Sequence, residues 1–434
     1  MTGWRRANRP SLATNAVIPA ATTNCRAFLN LPAEIYTHIG KYLSKADAVR
    51  VSHTSKTMYH MFRATVWSSF YPRGNDAEIM KGLRCLLELS KEEMERERLG
   101  TLPSRPFFRE IKTINIRLQD QVSCWTLDDT RYLKLADEVV SFLSNATNLR
   151  ELSIDLRHLT KIQCNHLIKL LPPHQLNNLS LLKKVRFTTS EHGVRENDFD
   201  PAIYGQVVAA FCSALPATTD SLALTRGSED GNNDALLAIL QAFASHRSLK
   251  RLLLAGSFVL DAPVLSTAEI IHRVIKGNDR ISQSIELFAI FDDSEYVPPG
   301  AGGPAQWKTC QDAVAFLITA LSGMPRLRRV AFPLIDFPVL ARSGNDALNT
   351  HSDANFEVPA VKDAMKFVVE GVLKGLPGLQ RVAFWSLWQR MGVEGWRTRD
   401  GRIWGKHYAV RDTFYERGNW GEEYWPMGLW GMRF

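Results

Sequence analysis

The chain has 434 residues, 45% of them hydrophobic, enough for one large core or two moderate ones. No apolar run approaches the roughly 18 residues that span a bilayer, and no signal-peptide core follows Met1, so a soluble chain is expected. The formal net charge of +8 is diffuse, without the block of like charges that marks a nucleic-acid tail, and suits acidic protein partners as well as phosphate.

Residues 1–27 hold Arg5, Arg6, Arg9 and Arg26 with no acid, and read as a disordered basic tail. The character changes at "LPAEIYTHIGKYLSKADAVRVSHTSKTMYHMF", residues 31–62. Ile35, Ile39 and Leu43 recur at i, i+4 and i+8, one face of a helix. Leu31-Pro32 precede that face, where proline is tolerated, and Glu34 falls in the first turn, where a carboxylate suits the helix dipole. A second helix near Ala46-Asp47 is expected to bury Val49 and Val51. A third, from about Ser55, is expected to bury Met58, Tyr59, Met61 and Phe62 before Val66-Trp67. Three helices this short cannot hide all these groups among themselves, so part of the apolar surface should face a partner.

The pattern LPxEIxxxIxxYL, followed by Asp47, Ser55-Lys56 and Trp67, resembles an F-box over residues 28–70. The resemblance implies that this all-α module docks on the Skp-type adaptor of a cullin-RING ubiquitin ligase. Carried over by position, the contacts are Leu31, Pro32, Ile35, Ile39, Tyr42 and Leu43, with Val49 and Trp67 supporting the packing. Two positions depart from the pattern. Gly40 stands where Leu is commonest, at a helix-propensity cost of about 1 kcal/mol, and Thr54 stands where Val is usual. Both weaken the expected affinity without removing the interface. The competing reading is a helical hairpin docked on the chain's own C-terminal body.

Residues 71–106 read as a helical connector, with Ile79, Leu83, Leu86 and Leu87 apolar and "ELSKEEMERERLG" as a solvated face. From 107 to 387 the chain repeats itself: "NLRELSI" (148–154), "SLKRLLL" (248–254), "RLRRVAF" (326–332) and "GLQRVAF" (378–384) share one apolar template. The same template fits Ile111-Ile114-Ile116, Leu182-Val185-Phe187, Thr219-Leu222-Leu224 and Ile285-Phe288-Ile290. Its last three positions alternate as a half-buried strand does. Helix-period segments such as "EVVSFLSNATN" and "AMKFVVEGVLKGLP" precede most of these strands, which predicts a right-handed α/β solenoid. The body resembles an irregular leucine-rich repeat. It lacks that family's Asn after the strand, and its repeat is longer.

The residues between the apolar strand positions should face an open concave surface. The first row reads Thr113, Glu151, Lys184, Ser221, Arg251, Leu287, Arg329, Arg381, and the second Asn115, Ser153, Arg186, Ala223, Leu253, Ala289, Ala331, Ala383. Lys184, Arg186, Arg251, Arg329 and Arg381 then form a basic stripe over a floor of small residues, suited to an acidic or phosphorylated target segment because guanidinium forks bind carboxylate and phosphate. Alternatively the cations solvate the strand face or pair with acids. Long polar loops such as "TTSEHGVRENDFDPAIYG" and "DDSEYVPPGAGGPAQW" should leave one edge of the body, where recognition residues concentrate. From Trp385 onward the composition shifts, with Trp385, Trp388, Trp396, Trp404, Trp420, Trp425 and Trp430. Residues 388–434 read as a Trp/Gly-rich cap on the last repeat, or as a flap over the concave face that offers aromatic anchors, Trp385 among them, to the target.

Catalytic patterns are lacking: no GxSxG, P-loop, HExxH or GxGxxG occurs. His158, Cys164, His166 and His174 have no zinc-module spacing, and the six cysteines, Cys25, Cys85, Cys124, Cys164, Cys212 and Cys310, include no CxxC pair, which fits free thiols in a reducing compartment. The expectation is a non-catalytic, cytoplasmic or nuclear substrate receptor without cofactor or metal. It would bind the adaptor, through it a cullin, and a target protein, with no membrane or nucleic acid involved. Two alternatives stay open: an interaction scaffold whose helices cap its own repeats, and a basic RNA- or nucleotide-binding solenoid.

Overall fold

In the computed structural model, two serines punctuate the N-terminal helices α1 (Ala33–Gly40), α2 (Lys45–Ser52) and α3 (Lys56–Trp67). The Ser44 hydroxyl accepts the Asp47 N–H at 3.1 Å, and the Ser55 hydroxyl accepts the Met58 N–H at 3.1 Å. Each such cap is worth about 1 kcal/mol. The structure describes residues 31–71, 73–74, 76–100, 110–118, 129–156, 161–188, 201–226, 233–245, 247–256, 278–291, 309–333, 359–386 and 391–409. The basic tail, most of the long-loop residues and the tryptophans beyond 409 lie outside them. The chain divides into two units, Met1–Ser68 and Ser69–Phe434.

The core of the first unit is Tyr36, Met58 and Phe62, against which Leu31, Ile39, Leu43, Val51 and Met61 pack in part. Tyr36 meets Phe62 edge to face at 5.9 Å and 89°. This corrects the expected core. Tyr36, one position from Ile35, points inward. Tyr59 is exposed, and on α2 Ala48 and Ser52 are buried where Val49 and Val51 are only half covered. The cause lies in the approach of α1 to α3: a Cβ at Gly40 would stand 2.5 Å from Thr65 Oγ1 and 3.7 Å from the Phe62 ring. The helix face that carries Tyr36 and Gly40 can therefore come closest.

The second unit begins with the short strands β1 (Ser69–Phe70) and β2 (Arg73–Gly74), both parallel to β3 (Thr113–Leu118), and with helix α4 (Asp76–Arg98). It continues through α5 (Asp129–Asn145), β4 (Glu151–Asp155), α6 (Lys161–Leu170), β5 (Lys184–Thr188), α7 (Pro201–Ala214) and β6 (Ser221–Arg226). Then come α8 (Asn233–Ala244), β7 (Arg251–Gly256), α9 (Asp279–Ser284), β8 (Leu287–Phe291), α10 (Cys310–Ser322) and β9 (Arg329–Pro333). The last elements are α11 (Pro359–Gly375), β10 (Arg381–Ser386), β11 (Met391–Arg397) and β12 (Ile403–Ala409). Among the described residues the fold is mixed α/β, with 11 helices and a long open sheet of 12 strands. From β3 to β10 every strand pairs in parallel with its successor, and β11 and β12 extend the sheet antiparallel.

Each strand is registered on the one before by the same device. The Lys112 carbonyl accepts the N–H groups of Arg150 and Glu151 at 2.7 and 3.0 Å, and the Arg150 carbonyl those of Lys183 and Lys184 at 2.9 and 3.1 Å. The pattern recurs down to Arg328, whose carbonyl accepts from Gln380 and Arg381 at 2.7 and 3.1 Å. A constant offset at every step aligns equivalent template positions across the sheet. One set of alternate positions is apolar and buried throughout: Ile114 and Ile116, Leu152 and Ile154, Val185 and Phe187, Leu222 and Leu224, Leu252 and Leu254, Phe288 and Ile290. The helices α4 to α8 pack successively, each on the next, and α10 packs on α11. The segment read as a connector thus supplies strand β2 and helix α4 of this unit, and Arg84 of α4 donates to Glu138 of α5 at 2.6 Å. Near β7 the buried Arg247 gathers the ends of α7 and α8, donating to the carbonyls of Leu215, Pro216 (2.9 Å) and Phe243 (3.3 Å).

Candidate functional site

Two surfaces gather the residues singled out in the sequence. The first lies on the N-terminal helices. Ile35 is 44% exposed and Tyr42 78% exposed, Pro32 is exposed, and Leu31, Ile39, Leu43, Val49 and Trp67 are half-buried. The His38 and Tyr42 rings stack edge to face at 5.2 Å, and exposed Tyr59 sits 5.6 Å from His60. Leu31, Ile39 and Leu43 thus divide their surface between the unit's own core and solvent, while Ile35 and Tyr42 contribute almost nothing to that core. The sequence reading missed Tyr36 as the group that frees Ile35. The signal was present, since Tyr36, Ile39 and Leu43 also share a face at i, i+3 and i+7.

The second surface is the sheet face opposite the apolar strand positions. The register sets Thr113, Glu151, Lys184, Ser221, Arg251, Leu287, Arg329 and Arg381 in one row, each opposite the next. A second row, two residues further along, runs Asn115, Ser153, Arg186, Ala223, Leu253, Ala289, Ala331, Ala383. The antiparallel strands prolong both rows, the first as Arg381, Trp396, Trp404 and the second as Ala383, Glu394, Lys406.

The rows differ from the expected open basic groove in two respects. From β6 onward the floor is buried, including Ser221, Ala223, Leu253, Leu287, Ala289, Ala331 and Ala383. Small and apolar side chains about 4.8 Å apart along the hydrogen-bond direction pack edge to edge, and longer neighbours overtop a methyl group. The cations also do not form one free stripe. Lys184 Nζ meets Glu151 Oε1 at 2.8 Å, and Arg381 Nε meets Glu394 Oε1 at 2.6 Å. The second contact is a charge pair without the alignment of a full hydrogen bond, and its carboxylate is only 1% exposed. Arg186 and Arg329 are engaged as well. Arg251 is half-buried and has no ion pair among the described residues. Trp385 stands on β10 opposite Pro333 and Gly392, and its side chain lies outside the described set, as do Trp388, Trp420, Trp425 and Trp430.

Cys164 is buried, and His166 Nε2 lies 3.1 Å from Asp137 Oδ1 across α6 and α5. His174 adopts a left-handed turn at φ 68°. Among the described residues no group of His, Cys, Asp and Glu could hold a metal ion, and no helix is long and apolar enough to cross a membrane. Burial pushes the Cys212 thiol up to about 12, against the opposing pull of Arg247. A scan against protein-family models finds no match to the chain, and a search of curated proteins finds none either.

Proposed function

We propose that the chain is the substrate-recognition subunit of a cullin-RING ubiquitin ligase of the SCF type. Its N-terminal helices act as an F-box on a Skp-type adaptor, and its second unit acts as an irregular leucine-rich-repeat-like solenoid that holds a target protein. One observation carries the reading. Ile35 and Tyr42 stay in water beside the half-buried Leu31, Ile39 and Leu43, although the unit already fills its core with Tyr36, Met58 and Phe62. An apolar face that the unit does not need for its own packing is suited to an adaptor. The target lies along the strand rows, where Lys184, Arg186, Arg251, Arg329, Arg381 and Trp385 are the contacts favoured by charge and aromatic character. Arg251 is the cation of the stripe without an ion pair among the described residues. No catalytic group is required: holding the target beside a loaded conjugating enzyme makes a bimolecular transfer effectively intramolecular.

The test is calorimetric titration of a purified Skp-type adaptor with the full chain and with the variants Ile35→Asp/Tyr42→Asp and Leu31→Ala/Pro32→Ala. The first pair changes exposed side chains, so its helical content should be unaltered while sub-micromolar binding falls by two orders of magnitude or more, the loss typical of hot-spot residues. Absence of binding by the intact chain overturns the proposal and leaves the interaction-scaffold reading.

A further inference from the structure

The bonds that register the strands also line up the residues standing just ahead of them, along the rim where the strands begin. That line runs Lys112, Arg150, Lys183, Asp220, Lys250, Glu286, Arg328, Gln380, each N–H donating to the carbonyl of the residue before it in the line at 2.7 to 3.0 Å. Neighbours in such a line stand about 4.8 Å apart. From Lys183 to Arg328 the charges alternate in sign, the arrangement that favours adjacent strands. The first three are all cations, and like charges on neighbouring strands cost stability, so the fold gains nothing from the run Lys112-Arg150-Lys183. All three side chains are exposed. Among the described residues none has an ion pair, and Lys183 Nζ donates only to a neutral group, the Thr218 carbonyl, at 3.1 Å.

The surroundings select the occupant. Three acids border the run. Glu151 is held by Lys184 at 2.8 Å, Asp220 accepts the Ser221 hydroxyl at 2.8 Å, and Glu110 is half-buried at the outer end, which leaves the run net positive. The described turns that lead into β4, β5 and β6, residues 146–149, 171–182 and 215–219, contain no acid and no Phe, Tyr or Trp. They place Leu181, 43% exposed, two residues ahead of Lys183. Single-stranded nucleic acid is held by cations together with aromatic platforms for its bases, and these turns offer no such platform. Carboxylates with an apolar neighbour match what is present. We infer that the rim Lys112-Arg150-Lys183 is a docking site for an acidic segment of a partner protein. The three cations receive its carboxylates, Arg150 through its guanidinium fork, and Leu181 packs against its apolar residue. The site lies outside the strand rows assigned to the target and requires no adaptor.

The experiment is fluorescence anisotropy of the full chain with a labelled, end-blocked dodecapeptide of repeating Glu-Glu-Leu, its Lys-Lys-Leu counterpart and a labelled oligouridylate. The acidic peptide should bind, and more tightly than the other two. Arg150→Glu and Lys112→Glu/Lys183→Glu should each weaken it about tenfold or more, the scale of one charge-assisted hydrogen bond. Leu181→Ser should weaken it by less. Arg328→Glu alters the chain's net charge as much as Arg150→Glu does, but on the alternating part of the line, and should leave binding unchanged. Because Arg150→Glu restores alternation, its urea midpoint should equal or exceed that of the unaltered chain, a result that a misfolded variant cannot give. A lowered midpoint would mean that the fold itself uses these cations, and overturns the site. No binding of the acidic peptide, or an equal loss with Arg328→Glu, overturns it too. Tighter binding of the oligouridylate overturns the protein partner, and full binding by Leu181→Ser overturns the apolar contact.

Discussion

Strands β3 to β5 and strands β6 to β10 share one template on the helix side of the sheet and diverge on the other. The first three carry Thr113, Asn115, Glu151, Ser153, Lys184 and Arg186, all half-buried, while the later strands carry Ser221, Ala223, Leu253, Leu287, Ala289, Ala331 and Ala383, all buried. The apolar positions that meet the helices make the strand, and the intervening positions set what it does with its second face. A polar second face stays available to a ligand. A small and apolar one is consumed in packing, with Arg251, Arg329 and Arg381 standing above it.

The sharpest test places the same residue on both halves. Ala331→Arg inserts a guanidinium where the side chain is 1% exposed and should cost about 3–5 kcal/mol, the scale of an uncompensated buried charge. Ser153→Arg, on the matching row of β4, should change stability by no more than about 0.5 kcal/mol. Urea denaturation of the full chain measures both, and a small cost at Ala331 would mean that the later half is as open as the first. The two charge pairs give a second contrast. Arg381→Met strands the buried Glu394 carboxylate and should also cost about 3 kcal/mol, toward the low end for a broken buried pair because Arg381 is itself partly exposed. Lys184→Met leaves Glu151 in reach of water and should cost about 0.5–1 kcal/mol. Similar losses at the two positions would dissolve the distinction.

The rows themselves were legible because an apolar-x-apolar strand template repeated with a constant offset before each strand admits one register. Both rows of eight read from the sequence are the rows that the pairing produces. Burial of the second row was not legible, since alanine is neutral in hydropathy and alternation says which face a residue takes, not what lies over that face. Strands β11 and β12 escaped because "MGVEGWR" and "IWGKHYA" mix glycine and charge and carry no clean period of two. Gly395 has a packing role visible only in three dimensions, since a Cβ there would run into Val369 and lie 3.1 Å from Leu373 of α11. Glu394 likewise reads as a surface acid until the pairing sets it beside Ala383 and within reach of Arg381. In the first unit, the Ile35-Ile39-Leu43 spacing drew the reading to one face of a two-turn helix, while Gly40 lets the other face, with Tyr36, come closest to α3.

Thiol chemistry provides the smallest and most local probe of the same contrast between covered and open ground. Cys85 on α4 is exposed, whereas Cys212 on α7, just ahead of the covered strands, is fully buried with its thiol pushed up to about 12 from an ordinary value of 9.0. Thiolate is the reactive form, so iodoacetamide at pH 8.5 should label Cys85 within minutes and leave Cys212 intact until the chain unfolds, as read by mass spectrometry of tryptic peptides. The sign of the linkage follows: the folded state holds the Cys212 proton more tightly than the unfolded chain. The stability this contributes is complete below about pH 9 and is lost as pH rises toward 12. Labelling of Cys212 at pH 8.5 at a rate independent of urea would mean that α7 opens locally without global unfolding, and that the covered half owes its burial to packing that breathes.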